Sequence, residues 1–159
     1  ANDNSVGQIV LSGSSEAIEK AIEISKKMGI KKSIRLSVSA PFHCELMASA
    51  AENMVEELKC LDIKQPKIKI ISNVTAKSVS SPQKIRELLV SQITATVRWR
   101  ESVLYMIANG TRRFIEIGAG KVLTGLCRRI DKDIKCSSVE TPQDIEDILT
   151  LLIKDKEVL

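Results

Sequence analysis

The sequence predicts an α/β fold, on three observations. Short apolar runs at 8–12, 33–39, 67–73, 113–117 and 135–139 are separated by longer segments whose apolar residues recur at the helical period. At residues 36–58 and 113–130 a strand-like run breaks at a proline or a glycine pair and turns directly into a helix-like one. Hydrophobic residues make up 43% and charged residues 28% of 159, the balance of an ordinary globular chain with enough length for a core.

Residues 1–7 are mostly turn-forming types, and 8–12 reads as a strand. Gly13-Ser14-Ser15 opens a helix, with a serine cap and Glu16 at the positive end of the helix dipole. Ala17, Ile18, Ala21, Ile22 and Met28 form its apolar face, and Gly29 ends it. Residues 33–39 read as the next strand. Past Pro41 comes His43, the only histidine, and then a helix over about 44–59 carrying Leu46, Met47, Ala50, Met54, Val55 and Leu58 on one face. Gln65-Pro66 breaks the pattern. Residues 67–73 alternate at first and form a strand ending at Asn73. Ser81 caps a helix with Pro82 at its first position, fading near Gln92. Thr94 to Val97 is an extended link, and Trp99, Val103, Met106 and Ile107 define a helix stopped by Gly110. A strand at 113–117, a glycine turn and a helix with Val122, Leu123, Leu126 and Ile130 follow. Residues 135–139 make the last strand, and Thr141-Pro142 starts a terminal helix from 143 to about 154.

Composition narrows the chemistry. Cys44, Cys60, Cys127 and Cys136 are scattered without a C-x-x-C pair, so no metal site is expected and free thiols are. A thiolate–imidazole pair between Cys44 and His43 is disfavoured, because sequence neighbours do not face each other on a helix. The net charge of +4 sits in spread doublets such as Lys26-Lys27 and Arg128-Arg129, and aromatics are only 3%, which argues against nucleic-acid binding. The doublets read as a solvated face or as a shallow positive surface for an acidic partner. No apolar run reaches bilayer-spanning length and no leader opens the chain, so no membrane association and a cytoplasmic location are expected. The first residue is Ala1 with no initiator methionine, so either something has been removed or this is part of a longer polypeptide.

His43 is the candidate catalyst. It lies at a strand end and a helix mouth, where α/β folds place their chemistry, and its side chain takes and returns protons near neutrality. A nucleophile for it to serve is missing: there is no G-x-S-x-G elbow, and the S-x-x-K at Ser81 is explained by its cap. No carboxylate spacing suggests glycosidic chemistry. The 118–121 turn lacks the glycine that a phosphate loop needs at Ile115 and a dinucleotide site needs at Leu123, so it reads as a tight turn. The residues themselves lead to an α/β chain with a general base and no partner for it.

Five blocks add a resemblance. Asn4-Ser5-Val6-Gly7-Gln8-Ile9-Val10-Leu11-Ser12-Gly13 resembles the N-S-P-G-Q-x-V-I-x-G stretch of malonyl-CoA:acyl carrier protein transacylases. Val38-Ser39-Ala40-Pro41-Phe42-His43, followed by Cys44-x-Leu46-Met47, resembles their V-S-A-P-F-H segment. Ile71-Ser72-Asn73-Val74 is similar to (S/N)-N-V, and Val90-Ser91-Gln92-Ile93 with Val97-Arg98-Trp99 to V-x-Q-(I/L)…V-x-W. Residues 116–126 are similar to E-(I/V)-G-P-G-K-V-L-x-G-L. The blocks keep the family's order over nearly the whole chain. Val6 and Ala119 stand where the family has proline, a change of turn rigidity.

The resemblance implies the C-terminal half of such an enzyme: part of an α/β-hydrolase-like acyltransferase core, residues 40–159, preceded by the second half of a small ferredoxin-like subdomain, residues 1–39. The family's serine elbow, its malonyl-gripping arginine and its oxyanion amides lie upstream of these blocks. It implies transfer of malonyl from malonyl-CoA to the phosphopantetheine thiol of acyl carrier protein, in fatty acid biosynthesis, through a serine acyl-enzyme. His43 would be the general base, oriented by the main-chain carbonyl of Gln92. Phe42 would wall the substrate cleft, with Asn73 and Asn4 as further cleft positions. The implied partners are acyl carrier protein and the coenzyme A thioester, with no tightly bound cofactor and a monomer when intact. The alternative is a non-catalytic fragment or split-enzyme half that binds acyl carrier protein.

Overall fold

A computed structural model describes residues 1–157, with side chains to Lys154. The chain divides into two compact units, Ala1–Ser102 and Val103–Leu159.

The first unit opens with two antiparallel strands, β1 (Asn2–Ser5) and β2 (Gln8–Val10), turning at Gly7. Expected as a turn, residues 2–5 are a strand: Asp3 pairs with Ile9, and the Asp3 N–H also donates to Val97 O at 2.9 Å. Polar residues close to a turn still pair when a neighbour supplies the ladder, which composition does not report. Helix α1 (Ser15–Lys27) starts as expected, with Ser14 Oγ accepting from Ala17 N–H at 3.2 Å. It ends in a Schellman turn: Gly29, at φ +82°, donates to Lys26 O, and Ile30 N–H donates to Ser25 O.

Residues 33–39 are not the predicted strand, and no described residue pairs with them. Ile34, Leu36 and Val38 do fall on one alternating side, yet they are 65%, 53% and 61% exposed. The segment instead folds back on α1, where Arg35 hydrogen-bonds Glu19 and Ser15 and the hydroxyls of Ser25 and Ser33 bond at 2.7 Å. Alternation marks a strand-forming face, but only a neighbouring strand satisfies the backbone.

The helix expected at 44–59 is a 3-10 turn (Glu45–Met47) running into α2 (Ala48–Lys59). Strand β3 is shorter than the predicted run, Ile70–Ser72, and pairs antiparallel with β4 (Lys77–Val79), which the sequence reading missed. Helix α3 (Pro82–Thr94) has its expected start, with Ser81 Oγ accepting from Lys84 N–H at 3.4 Å. The 3-10 turn and α2 pack on α3. Helix α4 (Trp99–Ala108) begins in this unit.

The second unit is a parallel β-α-β: β5 (Arg113–Ile117), α5 (Val122–Ile130) and β6 (Lys135–Val139), in register from Arg113 with Lys135 to Ile117 with Val139. Helix α6 (Pro142–Glu157) packs on β6. Leu126, Cys127, Ile134, Cys136 and Val139 are buried here. Burial pushes the Cys127 thiol up to about 12 and raises Cys136 as well, so both are inert thiols. Among the described residues no helix is long and apolar enough to cross a membrane.

Candidate active site

The geometry around His43 follows from where α3 stops. A helix leaves its last four carbonyls without intrahelical partners. Ala95 closes the helix by donating to Ser91 O at 2.9 Å, then turns extended at φ −87°, ψ 153°. Gln92 O is therefore left free of the helix ladder, and His43 Nδ1 lies 2.8 Å from it. A carbonyl only accepts, so in the neutral ring Nδ1 is the protonated nitrogen and Nε2 the one with the lone pair. Nε2 makes no hydrogen bond among the described residues.

The backbone at His43 is unusual. Its φ of +60° is left-handed, a conformation that costs a side-chain-bearing residue about 1–2 kcal/mol. Such strain persists where the surroundings hold it. Phe42 N–H donates to Ala40 O at 3.0 Å, and the Cys44 thiol donates to Pro41 O at 3.1 Å. That thiol points at the main chain and makes no pair with the imidazole. Phe42 itself is 47% exposed beside the half-buried His43.

The two asparagines are tied to a common element, the link that leads from α3 into α4. Asn4 lies on β1, whose Asn2 bridges Val97, and Val97 N–H donates to Ala1 O at 2.7 Å. Asn73 begins the β3–β4 turn, and its carbonyl accepts from Arg98 N–H at 2.9 Å. Arg98 also donates to Val74 O and forks onto Glu101. Neither asparagine side chain has a hydrogen bond among the described residues.

Sequence reasoning missed the charged pair that fastens β1. Arg100 donates from Nε to both Asp3 oxygens at 3.0 Å and from Nη2 to Oδ2 at 2.6 Å. No local pattern links residues so far apart, whereas Arg98 and Glu101 are spaced as a helical i,i+3 pair and could have been singled out. The Arg100 hydrogen bonds hold the Asp3 carboxyl below its usual range. A carboxyl lowered on folding adds stability above its unfolded value of about 4 and loses it as pH falls further. Asp3→Asn is thus expected to cost about 1 kcal/mol in urea unfolding at pH 7, the discounted value of a half-exposed charged fork. That cost is expected to be smaller at pH 3 than at pH 7; an equal cost at both pH values would contradict the assignment.

The glycine turn before α5 is occupied by the chain itself. Glu116 accepts from Leu123 N–H at 3.0 Å and Thr124 N–H at 2.7 Å, and Glu140 accepts from Gly120 N–H at 3.2 Å. The Thr124 bond, first of several, lowers the Glu116 carboxyl. A carboxylate already fills the position a phosphate would take, as expected for a tight turn. Among the described residues no group of histidine, cysteine and carboxylate side chains could hold a metal ion.

Residues 1–157 match the acyl transferase domain family. The malonyl CoA-acyl carrier protein transacylase of Bacillus subtilis is 44% identical over 146 residues, 92% of this chain and 46% of the relative. The acyl-carrier-protein-S-malonyltransferase of Bartonella henselae superposes with a TM-score of 0.91 at 47% identity, over 96% of this chain and 48% of that one. A malonyl-transacylase solved in complex with its type II PKS acyl-carrier protein superposes with a TM-score of 0.87 at 38% identity, over 91% of this chain and 47% of that one. The chain spans about half the length of the curated relatives it matches.

Proposed function

The chain belongs to the acyl transferase domain family, and we propose that it is the base-carrying half of a malonyl-CoA:acyl carrier protein transacylase. The observation that carries this reading is the His43–Gln92 pair, a lone histidine whose free Nε2 faces away from a carbonyl that fixes its tautomer.

In the proposed reaction a serine outside residues 1–159 attacks the thioester carbon of malonyl-CoA and passes its proton to His43 Nε2. The tetrahedral intermediate collapses, and the coenzyme A sulfur leaves with that proton. The phosphopantetheine thiol of acyl carrier protein then gives its proton to Nε2 and attacks the malonyl ester, and the serine departs with the proton returned. The main-chain carbonyl of Gln92 does the orienting that an aspartate does in a triad. The carbonyl end of α3 carries partial negative charge, which suits the imidazolium formed in each half-reaction. Phe42 walls the acyl cleft, and Asn73 and Asn4 line it from the two segments anchored on Val97 and Arg98 of the link.

The same reading assigns residues 40–159 to an α/β-hydrolase-like core and 1–39 to half of a ferredoxin-like subdomain. It takes the enzyme as a cytoplasmic monomer of fatty acid biosynthesis without a tightly bound cofactor. The test is transfer from malonyl-CoA to holo acyl carrier protein by the full protein that carries this segment. Malonyl transfer far faster than acetyl transfer is the expected result, and carrier binding without transfer would overturn it.

A further inference from the structure

The Gln92 side chain has a partner that its main-chain role does not require. Its Nε2 donates to Ala95 O at 3.2 Å, and the residue is half-buried. This bond spans the point where α3 ends. Were the helix to continue one residue further, the N–H of Thr96 would be the ladder partner of Gln92 O, and the imidazole would lose its acceptor. The extended Ala95 prevents that, and the Gln92 amide holds the Ala95 carbonyl in place.

We propose that the Gln92 side chain is a positioning residue for His43: by gripping Ala95 O it fixes the end of α3 and keeps the Gln92 carbonyl free for Nδ1. It acts through the main chain and touches no substrate. The inference rests on the reading of His43 as the base.

The experiment compares Gln92→Met, which keeps the length and loses the donor, and Gln92→Glu, which keeps the shape and cannot donate when ionised, with His43→Ala in the intact protein. Loss of one neutral hydrogen bond predicts a kcat lower by about three- to tenfold in both Gln92 variants, with KM for malonyl-CoA within about twofold. The downfield Nδ1 proton signal of His43, assigned by its absence in His43→Ala, should weaken or vanish in both. A kcat within twofold of wild type in both variants, or an unchanged Nδ1 signal, overturns the proposal. So does a loss of kcat that comes with a raised KM and a lowered melting temperature, which marks a merely structural role. Full activity in His43→Ala would instead overturn the reading of the base itself.

Discussion

His43→Ala is expected to slow malonyl transfer by at least about 100-fold, the scale for removing a general base. The substitution removes the Nε2 lone pair and the bond to Gln92 O together. The fold should change little, since that single bond is worth about 1 kcal/mol and the alanine inherits the left-handed backbone at φ +60°. His43→Asn makes the companion variant, because asparagine tolerates that conformation well and still cannot serve as the base. Both variants should melt within a few degrees of the parent while losing transfer. Transfer within about threefold of wild type in either one would remove His43 from the mechanism.

The second large effect concerns stability. Leu126 is 5% exposed on α5, which packs on β5 and β6 with Cys127, Ile134, Cys136 and Val139 buried around the same β-α-β unit. Leu126→Ala should destabilise the protein by about 2–5 kcal/mol, the transfer loss of the removed atoms plus the cavity they leave. Leu123, three residues earlier on the same helix, is 40% exposed and its alanine variant should cost less than about 1 kcal/mol. Urea midpoints of the two variants check this directly. Equal shifts would mean that α5 does not bury the face its burial pattern assigns.

Much of the fold was legible because its signals are local. The Ser14 and Ser81 caps, Pro82 at the start of α3, Gly29 at the end of α1 and the strand–turn–helix of 113–130 each depend on a few adjacent residues. The errors lie where pairing is non-local. Residues 2–5 became a strand because β2 and Val97 flank them, and 33–39 did not because no described strand does. The exposed side chains of Ile34, Leu36 and Val38 keep the alternation that prompted the strand assignment.

The site divides the same way. His43 stood out as the only histidine, at an expected strand-to-helix passage of which the structure forms only the helical side, and family resemblance paired it with the Gln92 main chain. Periodicity alone placed Gln92 merely near the fading end of a helix. The 2.8 Å approach depends on how the 3-10 turn and α2 pack on α3, which no residue pattern encodes. The Asp3–Arg100 fork was invisible for the same reason.

The most direct test of the account is intact-mass and peptide-mass analysis of the full protein carrying this chain, before and after brief exposure to malonyl-CoA. The account predicts the gain of one malonyl group on a serine outside residues 1–159, with slow or no gain in His43→Ala. Absence of any adduct, or an adduct on a residue within this chain, would contradict it.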